Sequence, residues 1–116
     1  GEALVLATSA GLDPEVVFNA VKGGLAGSTV LNAKAPMVIS RNFQPGFRIG
    51  LHQKDLRNAL LAAESMKVSL PFTSLVQQML MALMNDGKAN LDHSAIVTFL
   101  EDMAGVEIQK AAAAKA

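Results

Sequence analysis

Apolar positions recur at intervals of three and four through most of this chain. Phe72, Leu75, Val76, Met79, Leu80 and Leu83 follow helical i, i+3, i+4, i+7 spacing. Pro71 suits the first position of that helix, and Gly87 closes it. A second amphipathic helix is predicted from about Leu51 to Lys67, with Leu56, Leu60 and Ala63 on one stripe. Asp13-Pro14-Glu15 sets a cap, a proline and an acid at a third start. That helix carries Val17, Phe18 and Val21 inward and stops at Gly23-Gly24. Ser28 caps a segment through Val30, Leu31 and Ala33, which Pro36 is expected to bend or break. Arg41 to Gly50 reads as loop, with a turn at Pro45-Gly46. Asp92 or Ser94 caps a last helix carrying Ile96, Phe99, Leu100 and Met103. No segment alternates with period two strongly enough to argue a strand, so the predicted class is all-α, with about six helices.

The two ends of the chain read differently. Leu4, Val5 and Leu6 arrive before any Ser, Thr, Asp or Asn cap, and no initiator Met is present. The expectation is the last turns of a helix that starts upstream, closed by Gly11 in the left-handed conformation, and hence a piece of a longer protein. The alternative is a short native helix with a frayed start. The stretch from Lys110 to Ala116 is alanine-rich and low in complexity. It either extends a helix or frays, and carries no chemistry. The domain reading is one all-α domain over 1–108, with an Ala-rich tail over 109–116.

Composition narrows the function. The chain has 116 residues, 51% of them hydrophobic and 17% charged, which fits one domain with a core and excludes a disordered tail. Ten cations balance ten acids, a poor match to a duplex-binding protein. There is no cysteine, so disulfides, thiol catalysis and cysteine zinc sites are out. His52 and His93 lie far apart in sequence, without metal-ligand spacing around either. No apolar run approaches a bilayer span and no signal peptide is evident, so the expected setting is cytoplasmic.

Charge is unevenly spread. Between Arg41 and Asn58 stand Arg41, Arg48, Lys54 and Arg57 against one acid, Asp55. They straddle a Gly/Pro loop and a helix start, where unbonded N–H groups favour anions. The stretch is either a carboxylate or phosphate site or a solvated basic face. Lys54 is expected in the first turn of its helix, on the unfavourable side of the dipole, so it either meets an anionic ligand or points to water. His52 reads as a helix-surface residue, with no nucleophile or carboxylate at an obvious spacing. Phe47 either caps a core edge or covers a ligand. Met79, Met81 and Met84 suit adaptable packing. The run Gly23-Gly24-Leu25-Ala26-Gly27-Ser28 lacks the strand and lysine of a phosphate loop.

Three segments together carry a resemblance: Gly23 to Leu31, then Ala33-Lys34-Ala35-Pro36-Met37, then Asn42 to Ile49 followed by Leu51-His52-Gln53-Lys54-Asp55-Leu56. From Glu2 to about Ile108 the chain resembles the C-terminal domain of the β-hydroxyacid dehydrogenase family. The Gly-Phe…Lys-Asp-Leu element marks the family, and Gly23–Ser28 favours its tartronate semialdehyde branch. Gly50 departs from that branch, which carries an acid there.

The resemblance implies a helical domain like those of the 3-hydroxyisobutyrate and 6-phosphogluconate dehydrogenases. It implies an N-terminal Rossmann domain as partner, and a catalytic lysine upstream of residue 1. It implies reduction of a small aldehyde acid, tartronate semialdehyde, to glycerate with NAD or NADP as cofactor. By the same resemblance Lys54 approaches the dinucleotide. Phe47 and Asp55 close over substrate, or Asp55 braces that lysine or caps the helix; Arg48 adds anion attraction. The fragment alone is expected to be inactive. A reading of another class stands beside it: a helical module that forms a homo-oligomer through Leu70–Met84 and Asp92–Met103.

Overall fold

The computed structural model describes residues 1–111. Six α-helices and one short 3-10 turn account for its regular structure, and the described residues form no sheet. The alanine-rich tail beyond residue 111 lies outside the described residues. No described helix is long and apolar enough to cross a membrane. The helices belong to two compact units. One comprises Gly1–Phe43 with the residues from Leu100 onward, and the other Gln44–Phe99.

In the first unit, α1 (Glu2–Ser9), α2 (Pro14–Val21) and α3 (Thr29–Ile39) follow in order. Gly11 turns the chain after α1 at φ +78°, a conformation that costs a residue without Cβ little. The Asp13 carboxylate accepts from the Glu15 N–H at 2.8 Å, and the Ser28 hydroxyl from the Leu31 N–H at 2.9 Å, as their cap positions require. Leu4, Val5, Ala7, Ala35, Val38, Ile39 and Ile108 are buried. The expected break at Pro36 does not occur, since α3 runs on through Ile39. Proline removes one ladder donor, but the buried side chains of Ala35, Val38 and Ile39 on both sides of it hold the helix together.

Arg41 follows α3 at φ +56°. Its Nη1 donates to Glu101 Oε1 at 2.6 Å, and the same oxygen accepts the Ile108 N–H at 2.7 Å. Glu101 is buried, so this carboxylate is matched by an ion and an amide rather than left to pay full desolvation.

In the second unit, α4 (Ile49–Ser65) and α5 (Pro71–Asn85) pack on each other and on the 3-10 turn His93–Ile96. That turn leads directly into α6 (Val97–Ala104). Ile49, Ala63, Leu80, Leu83, Ala95 and Val97 form the core. The apolar stripe of α5 divides. Leu80 and Leu83 are buried, whereas Phe72 is 83% and Leu75 61% exposed.

The fully buried Asp92 organises this unit. Its Oδ1 accepts the Ser94 N–H at 2.9 Å, capping the 3-10 turn. Its Oδ2 accepts the N–H groups of Gly46 at 2.9 Å and Phe47 at 3.1 Å, from a loop 45 positions earlier. The backbone adds to the clamp: the Phe47 carbonyl accepts from the His93 N–H at 2.8 Å, and an isolated antiparallel bridge pairs Arg48 with Asp92.

Removing this carboxylate strands three backbone donors. Asp92→Ala is expected to destabilise the chain by about 3 kcal/mol, and Asp92→Asn, which keeps one acceptor oxygen, by roughly half that. Urea unfolding checks both. A loss below about 0.5 kcal/mol for the alanine variant would show that the clamp does not hold the unit.

Candidate functional site

The loop fixed by Asp92 is also the entry to α4. That helix begins at Ile49, two residues before the expected Leu51. The Ile49 N–H donates to the Leu91 carbonyl at 2.9 Å and the Gly50 N–H to the Ala89 carbonyl at 3.0 Å. The Leu51 and His52 N–H groups both turn back to the Arg48 carbonyl. Three of the amides that open the helix, those of Ile49, Gly50 and Leu51, are therefore already bonded, and His52 makes the first regular helical bond. This corrects the picture of an open helix N-terminus waiting for an anion: any anion here is met by side chains.

Gly50 fits the same close approach. A Cβ at this position would sit 3.4 Å from the Ala89 carbonyl oxygen, so a larger residue needs the 89–91 segment to yield. The loop stays anchored without an acid at position 50, because Asp92 and the Leu91 and Ala89 carbonyls hold it.

Lys54 moves with the earlier helix start. It is the sixth residue of α4, in the second turn, where the dipole argument made for it loses force. Its side chain is 59% exposed, and Nζ lies 3.1 Å from Asp55 Oδ1. The pair is open to solvent, a contact of little stabilising value, so the ammonium keeps its capacity for a second anion. Asp55 pairs with the lysine at the surface and does not cap the helix; the cap position belongs to Arg48, whose side chain makes no capping bond. Arg48 and Arg57 are exposed. Arg41 leaves the cationic set: it belongs to the other unit and spends its charge on Glu101, with Glu107 at 3.8 Å.

Phe47 is half-buried, and its neighbours were not foreseen. His52 from the first turn of α4 and His93 from the 3-10 turn both stand edge-on to its ring, with centroids 5.9 and 5.7 Å away. The two imidazoles lie 5.0 Å apart. Both histidines are partly exposed, so His52 is part of a cluster rather than a plain surface residue. The missed signal was the run Leu91-Asp92-His93-Ser94, read only as a cap. Among the described residues no group of three or more His, Asp or Glu side chains could hold a metal ion. What the entry of α4 offers is a rigid loop, an aromatic–imidazole cluster, and cations on flexible stems.

Comparison with known proteins gives this arrangement a family. Residues 1–100 match the family described as the NAD-binding domain of NADP-dependent 3-hydroxyisobutyrate dehydrogenase. The 2-hydroxy-3-oxopropionate reductase of Escherichia coli is 45% identical over 103 residues, 89% of this chain and 35% of that protein. A probable mitochondrial 3-hydroxyisobutyrate dehydrogenase-like protein of Arabidopsis thaliana is 32% identical over 108 residues, 93% of this chain and 32% of its own length. The crystal structure of a 3-hydroxyisobutyrate dehydrogenase from Salmonella typhimurium superposes with a TM-score of 0.79 at 25% identity, covering 84% of this chain and 34% of that one. The chain thus spans about a third of the length of these relatives. With a family match over nearly all of its helices and a shared helical fold, the chain belongs to the NADP-dependent 3-hydroxyisobutyrate dehydrogenase family of nicotinamide-dependent hydroxyacid dehydrogenases.

Proposed function

We propose that this chain is the helical part of an NAD(P)H-dependent reductase that converts 2-hydroxy-3-oxopropionate (tartronate semialdehyde) to glycerate. The observation that supports the reading is the 45% identity to a reductase of that name, together with the bonded entry of α4, on or beside which Phe47, Arg48 and Lys54 stand. When bound, the reduced nicotinamide supplies a hydride to the aldehyde carbon, and a proton on the carbonyl oxygen completes the alcohol. The residues of this chain fit such a guest through side chains alone, since the α4 amides are occupied and the exposed Lys54 is held only by a solvent-open carboxylate.

Each residue then has a task. Lys54 binds the anionic dinucleotide, and Asp55 stands beside it as a loosely held counter-charge. Arg48 draws the substrate carboxylate toward the loop. Phe47, held at its amide by Asp92, closes over the reacting carbon and excludes water. The proton donor and the Rossmann domain lie outside these 116 residues in this reading, so the chain alone is inactive. Its setting is cytoplasmic.

Mixing the chain with the remaining two thirds of the Escherichia coli reductase, produced separately, tests the reading. NADPH oxidation with tartronate semialdehyde should appear only in the mixture; association without turnover counts against it. In the active mixture Lys54→Ala should raise the cofactor KM about tenfold, the loss of one charge-assisted contact, and leave kcat within about twofold. An unchanged KM removes Lys54 from the cofactor site.

The exposed Phe72 and Leu75 favour a second role, as contacts between copies of the protein. Light scattering should then give a mass above the 12.1 kDa of one chain, and Phe72→Gln should restore that value. A monomer at all concentrations argues against self-association through this face.

A further inference from the structure

One position on the apolar face of α4 breaks its own pattern. Ile49, Gln53, Leu56, Leu60 and Ala63 recur at steps of four, three, four and three, the spacing of a seam that packs on a neighbouring helix. All are apolar except the glutamine. Gln53 is 7% exposed, and among the described residues nothing hydrogen-bonds its side-chain amide. Leucine or methionine would fill the same space without burying a polar group, so the glutamine weakens the fold it sits in. Other buried polar groups differ from it. Gln77 of α5 is equally buried, but its Oε1 accepts from Gln78 Nε2 at 2.9 Å. The Thr8 and Ser94 hydroxyls also lack partners, yet both are wholly enclosed, where no ligand reaches. Gln53 keeps a small opening, and it stands at the entry of α4, between Lys54 and the histidine that meets the Phe47 ring.

We infer that Gln53 recognises the carboxamide of the nicotinamide ring. The inference rests on the proposed reading, which brings a dinucleotide to Lys54, and deepens it from a charge contact to a contact with the ring that reacts. A primary amide carries an acceptor oxygen and N–H donors on one planar edge. A second primary amide meets both at once, N–H to oxygen in each direction. A carboxylate or a phosphate uses only the donors, and leaves the Gln53 oxygen unpaired in a buried place. Paired with its own kind, the glutamine fixes which way the carboxamide is turned, and with it the ring, while Lys54 holds the charged part of the cofactor. A ring that cannot reciprocate is rejected, because it leaves buried polar atoms unmatched. The group that costs the fold stability is then the one that selects the cofactor.

The experiment uses the 116-residue chain with isotope-labelled glutamine and lysine side chains, followed by NMR during separate titrations with NADPH and with its 3-acetylpyridine analogue, in which a methyl group replaces the carboxamide nitrogen. NADPH should shift the Gln53 amide and Lys54 signals together and saturably. The analogue should bind about fivefold more weakly, the loss of one hydrogen bond. Gln53→Met keeps the length of the side chain without its amide. It should bind the two cofactors equally, still show the Lys54 response, and unfold at a urea concentration about 0.5 M higher than the unmodified chain. A Lys54 response with Gln53 silent overturns the inference and leaves the cofactor reading standing. Silence of both side chains with both cofactors overturns the two together. A Gln53 response without preference between the cofactors assigns its amide to another group of the dinucleotide, such as a ribose hydroxyl, and overturns the inference. So does a methionine variant that keeps the preference. One that unfolds at lower urea makes Gln53 a residue that sets the packing register of α4, and overturns it as well.

Discussion

One carboxylate holds the entry to α4 together. Asp92 is fully buried, and a buried carboxylate is tolerable only when its oxygens are met by donors. Here the donors include three backbone amides, two from the 46–47 loop and one from its own 3-10 turn. The desolvation cost of the carboxylate and the otherwise unsatisfied amides of an irregular loop thus offset each other. A loop rich in Gly and Pro, which would be mobile in isolation, becomes a fixed entry to a 17-residue helix. Everything proposed for Phe47, Arg48 and Lys54 depends on that entry having one geometry.

The clamp also changes what kind of anion site the proposed function requires here. Helix starts attract anions because their first amides lack partners. In α4 the Ile49, Gly50 and Leu51 amides bond to the Leu91, Ala89 and Arg48 carbonyls, so the helix start has little left to offer. Recognition falls to side chains, whose longer reach tolerates a partner supplied from elsewhere. Lys54 and Asp55 suit that role: their contact is solvent-exposed and cheap to rearrange, unlike the pair of half-buried Arg41 with buried Glu101, which serves the fold. Of the two basic residues, Arg41 serves the fold and Lys54 is left for the proposed role.

Much of this was legible in the chain itself. Caps at Asp13 and Ser28, a proline start at residue 71 and a left-handed Gly11 all stand where local chemistry puts them. These are short-range features, decided within four residues. The errors were tertiary. Pro36 does not break α3, because buried neighbours outweigh one lost hydrogen bond. The start of α4 was placed two residues late, because its cap comes from carbonyls about forty positions away rather than from a local side chain. The residues placed at the site from sequence, Lys54, Phe47, Asp55 and Arg48, lie on or beside that helix entry. Their link to Asp92 and the meeting of His52 with His93 were invisible, since no spacing rule connects positions 45 and more apart, or 41 apart on different elements.

Amide hydrogen exchange at Gly46 and Phe47 tests the central claim most directly. If the Asp92 carboxylate holds these two donors, they exchange as slowly as the buried helix amides of Leu80 and Leu83, although they sit in a loop. Exchange at the rate of an unstructured peptide would mean that the loop opens freely, and the fixed entry to α4 would be lost with it.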